Sequence, residues 1–150
     1  TNTLFGLRAA LALMMEEGLD AVFERHARLA RATRAAATAW GLELQCAVPD
    51  QASSALTAIR VPEGHSADRL RKLALEAFDL SLGNGLGRLA DLVFRIGHLG
   101  HLNDLSLMSA LSGVEMSLGL AGIPHQRGGV AAAMSVLAAD RAKMLQEEPA

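Results

Sequence analysis

The side chain with the most demanding chemistry in this sequence is Arg95, set in the run Val93-Phe94-Arg95-Ile96-Gly97. Such a run reads as a short strand. Side chains alternate along a strand, so if Phe94 and Ile96 face one way, Arg95 faces the other. Either that other face is solvent and Arg95 is a surface cation on a one-sided sheet, or the guanidinium is half-buried and needs an anion. Its planar fork holds a carboxylate through two parallel hydrogen bonds, a geometry lysine cannot copy. Gly83, Gly85 and Gly87 precede the run and Gly97 and Gly100 follow it. Glycine flanks let a ligand approach the backbone closely, which favours the second reading. As a phosphate cradle the three leading glycines are poor, because a dinucleotide loop follows a strand and opens a helix, whereas these lead into a strand.

The remaining reactive side chains are weaker candidates. His98 and His101 stand three apart, with Asp104 as a conceivable third metal ligand, but the glycine between them leaves the ligand geometry undefined. They read as turn histidines, solvated or capping, and no metal is expected. His26 reads as a satisfied residue on a buried helical stripe. His65 and His125 sit beside turns. Cys46, Ser53, Ser54 and Ser81 are nucleophile types without a triad signature around them. Arg28, Arg31 and Arg34 step along a helix at three-residue spacing; with Glu24 four before Arg28 they read as a solvated face rather than an anion-binding stripe. Asp140 and Arg141 read the same way on the last helix.

The elements that must position these residues follow from apolar spacing. Thr1 or Thr3 caps a first helix with the stripe Leu4, Leu7, Leu11 and Met14, and Gly18 ends it. A second helix starts at Asp20, buries Val22, Phe23, His26, Leu29 and Ala30, and stops at Trp40-Gly41. LELQCAV and ALTAIRV then read as strands around the turn PDQASS. Ser66 caps a helix carrying Leu70, Leu73, Ala74 and Ala77. Extended segments near LSLGNGL and at LVFRI come next. From Asn103 or Asp104 a helix runs to the break at Gly119-Gly122-Pro124, and a last helix spans Val130 to about Leu145. Two helices, two strands, a helix, two strands and two helices make an α+β pattern.

Composition bounds the function. At 150 residues with 51% hydrophobic and 20% charged side chains, the chain is apolar for a free-standing domain, so either some apolar surface meets another domain or subunit, or alanine inflates the count. With 14 Lys+Arg against 16 Asp+Glu, neither a nucleic-acid nor an anionic-membrane partner is expected. The single Cys46 excludes an internal disulfide, and no apolar run reaches the roughly 18 residues of a spanning helix. A cytoplasmic location is expected. The chain opens on Thr1 without a leader pattern, which suggests a piece of something longer.

The segment SLGNGLGRLADLVFRIGHLGHLNDL resembles class V aminotransferases of the alanine-glyoxylate and serine-glyoxylate group. TNTLFGLRAAL, EEGLDAVFERHARLARATRAA and LAGIPHQRGGVAAAMSVL are similar to the same group, the last to its serine-glyoxylate branch. The resemblance implies the small C-terminal domain of a fold-type I enzyme, a short and mostly antiparallel sheet packed against helices. It assigns 1–18 to the terminal helix of the large cofactor domain and 19–150 to the small domain. It implies that Arg95 binds the α-carboxylate of a small amino or keto acid and that Gly85, Leu86 and Gly87 lie near the active-site mouth. The cofactor is pyridoxal 5'-phosphate, with the Schiff-base lysine and phosphate ligands upstream of Thr1; Lys72 and Lys143 lack that lysine's context. The implied reaction moves an amino group from serine or alanine to glyoxylate in a homodimer, and this piece alone is expected to be inactive. Asp91-Leu92 departs from the usual glycine and basic residue before the strand. The alternative from composition is a free-standing α+β binding or dimerisation module.

Overall fold

The computed structural model describes residues 1–147. Helix α1, Asn2–Glu17, is built from strong helix formers, yet none of its residues is buried. Its stripe Leu4, Leu7, Leu11 and Met14 is exposed. Gly18, at φ 85, ends α1 and opens α2, Leu19–Ala39. Leu29, Ala32, Thr33, Ala36 and Ala37 repeat at the three- and four-residue spacing of one helical face and are buried. The small alanines let α2 lie along α5, Gly129–Glu147. The two helices α3, Ala67–Phe78, and α4, Asp104–Ala121, pack together and complete the helical layer.

Three strands cover that layer: β1, Leu56–Arg60; β2, Gly83–Asn84; and β3, Val93–Gly97. The sheet is antiparallel throughout, in the order β1-β3-β2. Thr57, Ile59, Phe94 and Ile96 turn one face into the core, among Leu29, Trp40, Leu70, Leu107, Leu111 and Leu118. Ala58, Arg60 and Arg95 lie on the opposite, half-buried face. The α+β architecture with a short antiparallel sheet is as expected. Among the described residues no helix is long and apolar enough to cross a membrane.

Several sequence expectations are corrected. LELQCAV is not a strand: only Leu44 bridges to Ile59, and Cys46 and Val48 are exposed before Pro49 starts a 3-10 turn. Its alternating apolar pattern has β1 on one side only, and Pro49 cannot extend a hydrogen-bond ladder. The second helix begins one residue before Asp20, and Phe23 is exposed rather than part of its buried face. The segment near LSLGNGL pairs only at Gly83 and Asn84. Arg28 is not solvated. It is 3% exposed and meets Asp104 at 2.6 Å, because the α2 face it occupies is the one α4 closes over. Asp140 and Arg141 likewise reach across helices, Asp140 to Arg31 at 2.8 Å and Arg141 to Asp104 at 2.9 Å.

Candidate functional site

The middle of β3 carries the site. Arg95 has Ala58 of β1 and Gly83 of β2 as its two cross-strand neighbours, both too small to cover a guanidinium. Its Nε is buried and has no hydrogen-bond partner. Arg28 Nη1 and Asp104 Oδ1 also lack a well-aligned hydrogen bond, but those two atoms form an ion pair with each other. Arg95 enters no ion pair among the described residues. A partly desolvated cation without an anion costs stability unless a ligand supplies one.

The loop before β3 is fixed by its own backbone. Gly85 N–H donates to the Val93 carbonyl at 3.1 Å. A Cβ on Gly85 would lie 1.9 Å from the Leu89 carbonyl oxygen, so only glycine allows the chain to fold back there. Gly87 takes φ 54 and Leu86 projects into solvent. Gly85 opposes Val93, two residues from Arg95, so this loop and the arginine lie roughly 7 Å apart along the sheet. Asp91 supports the turn that its departure from glycine put at issue. It adopts φ 59. Its carboxylate accepts from the Ser66 hydroxyl at 2.5 Å and the Asp68 N–H at 2.8 Å, tying the start of α3 to the start of β3. The Ser66 hydroxyl, with the two backbone N–H groups behind it, holds the Asp91 carboxyl below the usual range.

Downstream of β3 the histidines divide. His98 is fully buried, which overturns its reading as a solvated or capping residue. Its Nδ1 lies 3.0 Å from the Ser54 carbonyl, to which it donates, and its Nε2 lies 2.9 Å from Thr57 Oγ1, from which it accepts. Burial is the main cause that pushes its pKa down to about 4, with nearby Arg34 and His26 adding to it against the Ser54 bond. His98 is therefore a neutral pin between β3 and β1. His101 is exposed, and Asp104 is engaged by Arg28 and Arg141. Burial pushes the Asp104 carboxyl up, but those two guanidinium groups outweigh it and hold the pKa low. Among the described residues no three His, Cys, Asp or Glu side chains are grouped as metal ligands. His26 is half-buried and accepts from the Gly100 N–H at 3.0 Å, so α2 holds the loop that leaves β3.

Glu115 escaped sequence reasoning. Its carboxylate accepts from the Trp40 indole at 2.8 Å and from the N–H groups of Gly128 and Val130 at 3.0 Å each, capping the start of α5. A glutamate in an apolar helix, with a glycine pair at Gly128-Gly129 downstream, was the available signal.

Neither lysine fits a Schiff-base role. Lys72 is exposed and faces Glu76 at 3.8 Å, and Lys143 is exposed on α5. The described residues therefore offer an arginine without a counter-ion but no lysine placed as a covalent seat for pyridoxal phosphate.

No family model matches the chain. Curated proteins do. The serine–glyoxylate aminotransferase of Methylorubrum extorquens is 50% identical over 135 residues, covering 89% of this chain and 34% of that protein. The L-aspartate–glyoxylate aminotransferase of Paracoccus denitrificans is 47% identical over 129 residues, covering 85% of this chain and 33% of that protein. Among solved structures, the pyridoxamine–pyruvate aminotransferase of Mesorhizobium loti superposes with a TM-score of 0.85 at 36% identity, over 90% of this chain and 35% of that one. The chain thus spans about a third of the length of the curated relatives it matches. Its sequence and fold are those of the C-terminal part of class V pyridoxal-phosphate-dependent aminotransferases. The relatives it matches include serine–glyoxylate aminotransferases, and the solved structures it resembles include an alanine–glyoxylate aminotransferase.

Proposed function

We propose that the polypeptide carrying this sequence is an aminotransferase that moves an amino group from serine or alanine to glyoxylate, and that this chain contributes the carboxylate anchor. The observation that carries the reading is Arg95. Its guanidinium sits at the centre of a sheet face, with a buried Nε and no anion among the described residues. Donor and acceptor of such a reaction share one feature, an α-carboxylate, and a bidentate guanidinium recognises that feature whatever the side chain. Relatives at 50% and 47% identity are named for serine and for aspartate as donor, which fits an anchor blind to the side chain. The loop Gly85-Leu86-Gly87 borders the mouth of the same site.

Arg95 acts by orientation. Two parallel hydrogen bonds fix the carboxylate plane and with it the direction of the bonds at Cα, and orientation of this kind is worth several kcal/mol of barrier. The guanidinium stays charged and moves no proton. Pyridoxal 5'-phosphate supplies the electron sink in such enzymes, and in this reading the large domain of the same polypeptide holds it. Residues 1–18 then belong to that large domain and 19–150 to the small one. The exposed apolar side of α1 supports this division, since it is the face a missing neighbour would cover. A cytoplasmic homodimer, inactive without its large domain, completes the reading.

The test is Arg95→Lys in the intact polypeptide, with kcat/KM measured for serine, alanine and glyoxylate. A loss of at least about tenfold is expected from replacing a two-point clamp by a point charge. An unchanged specificity constant for all three would remove Arg95 from the site.

A further inference from the structure

Arg95 and Gly83 face each other directly across β3 and β2. The arginine stem lies on the glycine: a Cβ built on Gly83 would stand 3.0 Å from Arg95 Cβ and 3.1 Å from its Nε. Both distances are tighter than nearly all real contacts of a Cβ, so a side chain at Gly83 would make the arginine give by a few tenths of an ångström. Gly83 does not need glycine for its own backbone, since it lies outside the positive-φ positions of the chain. What it contributes is space. The seating has a chemical consequence. Nε is sealed and unpartnered, whereas the two terminal nitrogens have no hydrogen bond among the described residues and are not buried. The donors left for a ligand are therefore Nη1 and Nη2.

We propose that Gly83 is the positioning residue of the carboxylate site, laying the Arg95 stem flat across β2 so that the carboxylate is taken end-on by Nη1 and Nη2. This deepens the reading of Arg95 as the anchor and rests on it. Gly83 touches no substrate and acts only through the arginine. Gly85 makes a useful contrast. Its missing Cβ makes room for backbone, at 1.9 Å from the Leu89 carbonyl, so replacing it breaks the loop; replacing Gly83 moves a side chain.

The experiment is a double-mutant cycle in the intact polypeptide: wild type, Gly83→Ala, Arg95→Lys and both together. For Gly83→Ala, the inhibition constant of propionate, a non-reacting carboxylate, should rise about three- to tenfold and kcat/KM for serine should fall by a similar factor, since a shift of a few tenths of an ångström misplaces the fork. Thermal melting should be unchanged, which separates this outcome from a folding defect. In the Arg95→Lys background the same substitution should add less than about twofold, because the group it displaces is gone. Gly83→Val, with more bulk on the same stem, should exceed Gly83→Ala in every binding constant. If Gly83→Ala behaves as wild type while Arg95→Lys costs at least about tenfold, the anchor stands and the positioning role falls. If Gly83→Ala is as damaging in the Arg95→Lys background as alone, its effect does not pass through Arg95 and the proposal is overturned. If Arg95→Lys costs nothing, the anchor reading itself fails, a result distinguishable from the other two.

Discussion

Arg28 and Arg95 each carry a guanidinium nitrogen that water does not reach, and the chain treats them oppositely. Arg28, buried where α2 meets α4, has Asp104 at 2.6 Å, and Asp104 is in turn held by Arg141 at 2.9 Å. Arg95, on the outward face of the sheet, has no anion among the described residues. The cost of desolvating a cation is similar in kind at both places, several kcal/mol for a fully buried ion and less for Arg95, which is only half-buried. At Arg28 a carboxylate within the fold offsets it. At Arg95 no described residue offsets it. A buried charge with its counter-ion in the chain belongs to the architecture; the one without is the group we propose as the carboxylate anchor.

The largest expected effect tests the paired side. Asp104→Ala should lower the unfolding free energy by about 3 kcal/mol in urea titration, because it leaves Arg28 buried and uncompensated. Arg141→Ala removes a side chain that is 52% exposed and should stay within about 0.5 kcal/mol. A loss below about 1 kcal/mol for Asp104→Ala would mean that Arg28 is not desolvated in solution, and the contrast with Arg95 would collapse.

His98 sharpens the comparison by showing a third solution, in which a buried group stays neutral. Its pKa is about 4 in the fold against the ordinary 6.5, so the unfolded chain binds the extra proton first. The sign follows: the contribution is fully present above the unfolded value and is lost as pH falls from there through the folded one. Between about pH 7.5 and pH 5 the loss should be about 2 kcal/mol. Urea titrations of wild type and His98→Gln over that range isolate it, since the variant should lack this part of the slope. Parallel slopes for the two proteins would refute a neutral, buried His98.

Arg95→Lys comes next and tests the unpaired side. The expected loss of at least about tenfold in kcat/KM corresponds to about 1.4 kcal/mol, and stability should change by less than about 0.5 kcal/mol, because no side-chain bond to a described residue is broken. A variant that lost stability in proportion to activity would place Arg95 with Arg28, as a structural cation.

The sequence made one side of this contrast legible and hid the other. Arg95 stood out because Phe94 and Ile96 bracket it in a strand punctuated by glycines, and local pattern is enough to show a cation where an apolar residue is expected. The carboxylate came from resemblance, not from pattern. Arg28 was read as solvated because Arg28, Arg31 and Arg34 share a spacing that suits a wet helix face; its counter-ion Asp104 is on another helix far along the chain, and packing decides which face closes. His98 was misread for the same reason, since its partners Ser54 and Thr57 come from a different segment. LELQCAV failed in the other direction, as a strand pattern whose neighbour on one side never arrives. The helices, set by local spacing and caps such as Ser66 and Asn103, were read to within a residue or two.

The smallest expected effect asks whether the turn before β3 takes part in placing Arg95 at all. Asp91 stands where the resembling family has glycine, in a left-handed conformation at φ 59. Asp91→Ala keeps the steric penalty and loses the bonds to Ser66 and Asp68, at a cost of about 1–2 kcal/mol. Asp91→Gly loses the same bonds but relieves the backbone, so it should cost less than about 1 kcal/mol. Because the Asp91 carboxyl is held below its ordinary pKa of 3.8, its contribution is present above that value and fades as pH falls below it, which should bring wild type and Asp91→Gly together in acid. The kinetic outcome decides the structural question. If Gly83 seats the arginine, Asp91→Gly leaves KM for serine within about twofold; a larger rise would mean that the turn, and not the strand opposite, sets the fork.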